Sequence, residues 1–423
     1  MSIKKTSLKS GVTIITEDIP GYSSATVGIH LDTGSRDEKA HKAGISHFYE
    51  HMVFKGTETR SAFEITDSIE SLGGDINAFT SKEEIYLVAK VTPSHVLSAL
   101  EVLCDMAENP SLTKEDFNSE KMVVLEEIAE SSSSYDNVSY DLFFKSLWSK
   151  DPLGAPILGT AGSVKSITHK DMLDFHEHVK KNINLTISVA GRVDHKEIVK
   201  AAKALLKSNR GYQSTHESTH ESRSLIGSSP TRHLTKTDHA NQCYITASVS
   251  LEDYDCSDIL ATKLVSEVFG GGMSSRLFMK IREEEGLVYY VGTEVANYDN
   301  VSGFIIHMIV DPSNANKALK LMEEECKKLR DFGLTKSEIL KAKNQVASQS
   351  LFGLESTGKR MQTLVNGLRG LKDLTNERKI RGITPTMINE AIATLFSVKW
   401  SSSIVLPEGV DKKDIKVKPY LKW

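Results

Sequence analysis

Gly44-Ile45-Ser46-His47-Phe48-Tyr49-Glu50-His51-Met52-Val53-Phe54-Lys55-Gly56-Thr57 sets two histidines four residues apart with a glutamate between them. Its apolar spacing predicts a helix from about 46 to 54. Positions i and i+4 lie one above the other on a helix, so His47 and His51 can offer ring nitrogens to one ion. Glu50 follows His47 by three and lies beside the same face, where it can reach a metal-bound water without being a ligand. Phe48, Tyr49, Met52, Val53 and Phe54 would embed this turn in apolar packing and make it rigid. A catalytic zinc takes three protein ligands and keeps one position open. The run Glu120-Lys121-Met122-Val123-Val124-Leu125-Glu126-Glu127-Ile128 can supply the third. Glu120 and Glu127 are two helical turns apart on one face. One can ligate while the other orients a histidine.

Working outward, residues 11–16 and 25–31 read as strands joined through Pro20-Gly21, a hairpin. Residues 62–72 read as a helix ending at Gly73-Gly74, residues 84–91 as a strand, and residues 94–108 and 114–130 as helices. Residues 211–230, GYQSTHESTHESRSLIGSSP, break this pattern and read as a polar, low-complexity linker. It divides the chain into 1–210 and 231–423. The halves share a short signature: a strand-like run, Pro93-Ser94 or Pro312-Ser313, then a helix with Ala99-Leu100 or Ala318-Leu319. An internal duplication of an α+β unit accounts for this. At the same offset of 219 (312 − 93), the second half has Ser266 and Gly270 where the first has His47 and His51, so a single metal site is expected. The literal His216-Glu217-Ser218-Thr219-His220 lies inside the linker, where nothing pre-organises ligands.

Composition limits the partners. With 423 residues, two to four domains are expected. Hydrophobic residues at 39% and charged residues at 26% fit a globular chain, and a net charge of −4 calls for neither nucleic acid nor an anionic membrane. Cys104, Cys243, Cys256 and Cys326 have no Cys-x-x-Cys spacing, which points to reduced thiols and a cytoplasmic location. No leader-like apolar run follows Lys4-Lys5, and no stretch is long and apolar enough to span a membrane.

Further motifs follow in a fixed order: Gly34-Ser35-Arg36-Asp37-Glu38, the helix above, Leu72-Gly73-Gly74-Asp75-Ile76-Asn77-Ala78-Phe79-Thr80-Ser81, Val124 to Ile128, and Pro152 to Gly159. Gly270-Gly271-Gly272-Met273-Ser274-Ser275-Arg276-Leu277 and Ile281-Arg282 through Gly286 to Tyr289 complete the series. With these motifs the chain resembles the pitrilysin-type (inverzincin) zinc metallopeptidases over nearly its whole length. It is most similar to the processing-peptidase branch and its bacterial homologues.

The resemblance implies an α+β fold of two homologous domains, each a mostly antiparallel sheet packed against helices. It implies one Zn2+ per chain held by His47, His51 and Glu127, the glutamate that directly precedes Ile128. Glu50 would be the general base, and Glu120 the acidic residue supporting the site. Asn77 and Ala78 would lie on an edge strand pairing with an extended peptide, and Arg282 and Tyr289 would contact substrate near the scissile carbonyl. Gly270 to Gly272 match, in a short version, a glycine-rich loop that in the family helps capture substrate. The implied function is zinc-dependent endopeptidase cleavage of peptides or unfolded targeting segments. The implied assembly is a homodimer in which Arg282 and Tyr289 reach the partner's zinc. Two departures stand out: Ile85 occupies the family's usual Thr position, so Tyr86 falls one residue early, on the opposite strand face. The segment after Ile128 also lacks the family's acidic and proline residues. A non-catalytic scaffold and a chamber that holds peptides uncut are the rival readings, and the intact His47, Glu50, His51 and Glu127 argue against the scaffold.

Overall fold

The computed structural model describes residues 2–206, 232–252, 254–368, 376–417 and 421. The 211–230 linker and its His216–His220 motif lie outside the described residues. Two compact units form. The first comprises the described residues within Met1–Glu130, Ala155–Ser222 and Phe352–Leu371; the second, those within Ser131–Gly154, Arg223–Leu351 and Lys372–Trp423.

In the first unit β1 (Ser2–Ser7), β2 (Thr13–Asp18), β3 (Ala25–Leu31), β4 (Asp75–Thr80), β5 (Ile85–Val91) and β6 (Leu185–Gly191) form one sheet in the order β1-β2-β6-β3-β5-β4. Only β2 and β6 run parallel; the other neighbours are antiparallel. The expected hairpin of β2 with β3 does not form, because β6 lies between them and pairs with both. The chain instead makes its first hairpin from β1 and β2.

Side-chain alternation divides this sheet into two buried faces. Val27, Ile29 and Leu31 of β3, with Ile187 and Val189 of β6, join one core with helices α1 (Ile45–Val53), α2 (Ala62–Glu70), α3 (Val96–Glu108) and α4 (Lys114–Ser133). The other face carries smaller and polar groups and is covered by the helix Thr357–Leu368, from the far end of the sequence. Met361, Leu364 and Val365 pack there on Ile15, Tyr86 and Ala190. The Ser188 hydroxyl donates to the Met361 carbonyl at 2.7 Å, and Arg360 pairs with buried Glu17 at 2.7 Å.

The second unit has β7 (His233–Asp238), β8 (Cys243–Glu252), β9 (Val288–Asn297), β10 (Val301–Val310) and β11 (Ser401–Pro407) in the order β7-β11-β8-β10-β9. Again one neighbouring pair, β7 with β11, is parallel. Apart from β1, the two sheets share one connectivity. The Pro93-Ser94 and Pro312-Ser313 signatures sit at the same place in each, between a strand and the helix α3 or Ala315–Phe332. Helix α5 (Tyr135–Leu147), from the first half of the sequence, belongs to this unit. Phe143, Phe144, Leu147 and Trp148 pack on Val301 and Ile305, and the Trp148 indole donates to Ser250 at 3.0 Å. Each half of the sequence thus supplies a helix to the sheet of the other. No helix among the described residues is long and apolar enough to cross a membrane.

Candidate metal centre

Helix α1 is held before any metal is considered. It begins at Gly44, whose φ of 95° is left-handed and where a Cβ would fall 2.5 Å from the Leu158 carbonyl oxygen. Buried Glu38 accepts the Gly44 and Ser46 backbone N–H groups at 2.7 Å each and so caps the first turn. Burial raises this carboxyl to about 7 despite those two bonds. Phe48 stacks on Phe117 of α4 at 4.9 Å, and the Tyr49 hydroxyl meets His176 Nδ1 at 2.9 Å. Met52 and Val53 are fully buried. The two-turn face bearing His47 and His51 is therefore fixed against α4.

His47, His51 and Glu127 each bring one ligand atom within 4.8 Å of the others, the one such cluster among the described residues. His51 Nε2 lies 3.3 Å and His47 Nε2 3.6 Å from the same Glu127 oxygen. The imidazole rings sit edge to face with centroids 4.7 Å apart. Burial first, and then the neighbouring His51, lower His47 to about 4. Its imidazole is therefore neutral at pH 7, the form that ligates a metal. On its other side His51 meets Glu120, with Nδ1 to Oε2 at 3.1 Å. Glu120 is buried, and its second oxygen pairs with Lys55. Two imidazole Nε2 atoms and one carboxylate, with the second histidine braced by another carboxylate, form a donor set that fits zinc with one position left open.

Glu50 lies on the same helix and its side chain is turned toward β4. The Thr80 hydroxyl donates to Glu50 Oε2 at 2.5 Å. Burial raises the Glu50 pKa, and the Thr80 hydrogen bond opposes that rise. Neither Thr80 nor Glu38 stood out in the sequence, although both lie inside the quoted motifs.

The other expected residues lie on other elements. Asn77 and Ala78 lie on β4, which pairs with β5 on one side only and is an edge of its sheet. The Ala78 N–H is taken by the Asn77 side-chain oxygen at 2.8 Å. Tyr86 faces away from the α1 side, against Phe79 and the helix Thr357–Leu368, as its one-residue shift requires. Arg282 and Tyr289 belong to the second unit. Arg282 lies over the Phe278 ring at 4.7 Å, and Tyr289 on the edge strand β9 is 72% exposed. Ser266 and Gly270 fall at the C-terminal end of the helix Cys256–Phe269, with no metal-ligating side chain at either position.

The chain is similar to known proteins over most of its length. Residues 13–161 match the family described as Insulinase (Peptidase family M16), and residues 166–346 match the Peptidase M16 inactive domain. An uncharacterised zinc protease of Rickettsia felis is 32% identical over 411 residues, 95% of this chain and 97% of that protein. An uncharacterised zinc protease of Bacillus subtilis is 30% identical over 413 residues, covering 96% and 99%. Among solved structures, a protease from Helicobacter pylori superposes with a TM-score of 0.85 at 20% identity, covering 96% of this chain and 99% of that one. A chain from complex III2 of Candida albicans has the same fold, with a TM-score of 0.81 at 19% identity over 97% and 98%. The chain belongs to peptidase family M16.

Proposed function

We propose that this M16 peptidase is a zinc-dependent endopeptidase that lays an extended peptide along the free edge of β4 and cleaves it with Glu50 as general base. The observation that carries this reading is the convergence of His47, His51 and Glu127 within 4.8 Å, beside a glutamate that is not itself in the cluster. Zinc, when bound there, supplies Lewis-acid polarisation and brings the pKa of a water toward about 7. The chain's own residues do the rest. Glu50 takes a proton at its carboxylate and returns it to the leaving amine. Glu120 fixes the His51 ring so that Nε2 stays turned to the cluster. Ala78 lies on a sheet edge, where its carbonyl, and its N–H on release from the Asn77 side chain, would pair with peptide backbone rather than read side chains.

Arg282 and Tyr289 are assigned to substrate contact near the scissile carbonyl, in trans across a homodimer. Their exposure supports availability for such a role. A cytoplasmic location is supported by four free cysteines.

The test is cleavage of a mixed library of peptides of about 10 to 30 residues, a range scaled to an enclosed cavity, by wild type and Glu50→Gln. The expected result is zinc bound to both proteins and turnover by the wild type alone. Equal turnover by both removes Glu50 from the chemistry. No turnover by a zinc-loaded wild type overturns the peptidase assignment in favour of a peptide-holding chamber.

A further inference from the structure

A general base works only if its carboxylate is aimed, and Glu50 has rotatable bonds that α1 alone does not fix. The element that fixes it is the strand proposed to take the peptide. Thr80 is the last residue of β4, and its hydroxyl donates to Glu50 Oε2 at 2.5 Å. Its backbone N–H acts on the same carboxylate. The Ala78 N–H bonds the Asn77 side chain rather than β5, so it points to the open edge of the sheet. The two-residue period of a strand puts the Thr80 N–H on that same edge. The open edge of β4 therefore ends at the Glu50 carboxylate.

The far side of Thr80 is equally constrained. The Ser35 N–H donates to the Ser81 carbonyl at 3.1 Å, and the Arg36 N–H to the Lys82 carbonyl at 2.7 Å. Buried Arg36 pairs with buried Glu83 at 2.5 Å. Lys82 reaches the Ala155 carbonyl. A Cβ at Gly34 would lie 2.6 Å from the Glu83 and Glu84 nitrogens, so this loop and the β4–β5 turn leave no slack. Thr80 is thus held by a rigid turn on one side and by β4 on the other.

We propose that Thr80 is the positioning residue for Glu50: it holds one carboxylate oxygen, leaves the other free for the proton transfer, and ties the base to the strand that pairs with the peptide. The inference rests on the peptidase reading above. A merely structural Thr80 would be a strand residue that valine replaces well, since β-branched shape suits a strand. A positioning hydroxyl is not replaced by valine, but serine retains the donor.

The experiment compares wild type, Thr80→Val and Thr80→Ser for kcat, KM and zinc content on one peptide that the wild type cleaves. Losing one hydrogen bond to a charged group predicts a fall in kcat of about ten- to hundredfold for Thr80→Val, with KM within about threefold and zinc content unchanged. Thr80→Ser is expected to stay within about threefold of wild-type kcat. A zinc-loaded Thr80→Val with wild-type kcat overturns the proposal, as does a Thr80→Ser as impaired as Thr80→Val. If Thr80→Val loses its zinc, Thr80→Ser alone decides, and a serine variant that keeps its zinc but has a valine-like rate overturns the proposal. A wild type that binds zinc and cleaves nothing overturns the peptidase reading together with this inference, whereas an active wild type with an unimpaired Thr80→Val overturns this inference alone.

Discussion

The far-sequence helix on the first sheet makes a quantitative test of the fold. Met361 is buried, with its sulfur over β3 at Gly28; a Cβ added to Gly28 would fall 2.5 Å from Met361 Sδ, 2.9 Å from Cε and 3.3 Å from Cγ. Ordinary carbon contacts need about 3.5 to 4.0 Å, so Gly28→Ala forces the thioether aside by roughly 1 Å. Methionine yields easily, which puts the cost near the lower end of overpacking, about 1 kcal/mol. Met361→Ala removes a buried side chain and leaves a void, for about 3 kcal/mol. In the double variant the clashing sulfur is gone and the new methyl fills part of the void. The pair should therefore cost about 3 kcal/mol, some 1 kcal/mol less than the sum of the single changes. The first unit contains no tryptophan, so the assay is native-state hydrogen exchange of the β3 and β6 amides, which reads this unit alone. Zinc stoichiometry should not change, because α1 packs on the opposite face. Additivity within about 0.3 kcal/mol would refute the seating of Met361 on Gly28, and unchanged β3 and β6 protection in Met361→Ala would remove the helix from that sheet altogether.

Glu120→Gln should weaken zinc binding by about 10- to 100-fold, read by competition with a chelator, since it removes the carboxylate that braces His51. Unchanged affinity would leave Glu120 with no part in holding the ligand. In the second unit, hydrogen bonds from Arg276 and then from Thr335 hold Glu338 down to about 2. A depressed carboxyl contributes stability above its unfolded pKa of about 4.5 and loses it as pH falls toward about 2. After allowance for solvent screening, Glu338→Gln should cost about 1 kcal/mol at pH 7 and almost nothing near pH 2. Trp148 and Trp400 lie in the same unit and report urea unfolding; an equal cost at both pH values would contradict the assignment. Finally, Ser266→His with Gly270→His should not create a second zinc site, and a second equivalent of bound zinc in that variant would show the equivalent helix to be roomier than its packing indicates.

What was legible in the sequence was what a helix or strand period encodes. His47 and His51 share a face because of their i, i+4 spacing, whereas Glu120 and Glu127 share a face of another helix and only the family resemblance singled out Glu127 as the ligand. The ends of α1, α2 and β5 follow from local signals of the same kind, such as Gly73 after α2, with its left-handed φ of 72°. The β2–β3 hairpin failed because Pro20-Gly21 says only that the chain turns. It cannot say that β6, more than 150 residues later, will enter between the strands. The exchanged helices were equally silent. Met361, Leu364 and Val365 make an apolar stripe that suits any sheet, and only the complementary Gly28 and Ser188 select this one. Thr80 and Glu38 lack a period altogether; each acts through a single hydrogen-bonding group brought to α1 by tertiary structure.

Among the described residues one metal-ligating cluster occurs, although the two sheets share a connectivity. At the sequence offset that aligns the two Pro-Ser signatures, Ser266 and Gly270 fall at the C-terminal end of the helix Cys256–Phe269, whereas His47 and His51 lie within α1. There the neighbouring edge strand β9 has closed onto the helix end. The Ser266 hydroxyl bonds Thr293 at 2.9 Å, and the Thr293 N–H donates to the Gly270 carbonyl at 3.2 Å. Even a methyl group at Gly270 would meet the Thr293 nitrogen at 2.7 Å, so an imidazole has no room. In the first unit the edge strand β4 meets α1 through the Thr80 hydroxyl and Glu50, while His47 and His51 face Glu127 and Glu120 of α4. Close packing of β9 on Ser266 and Gly270 is what leaves no space for a pair of imidazoles at that helix end.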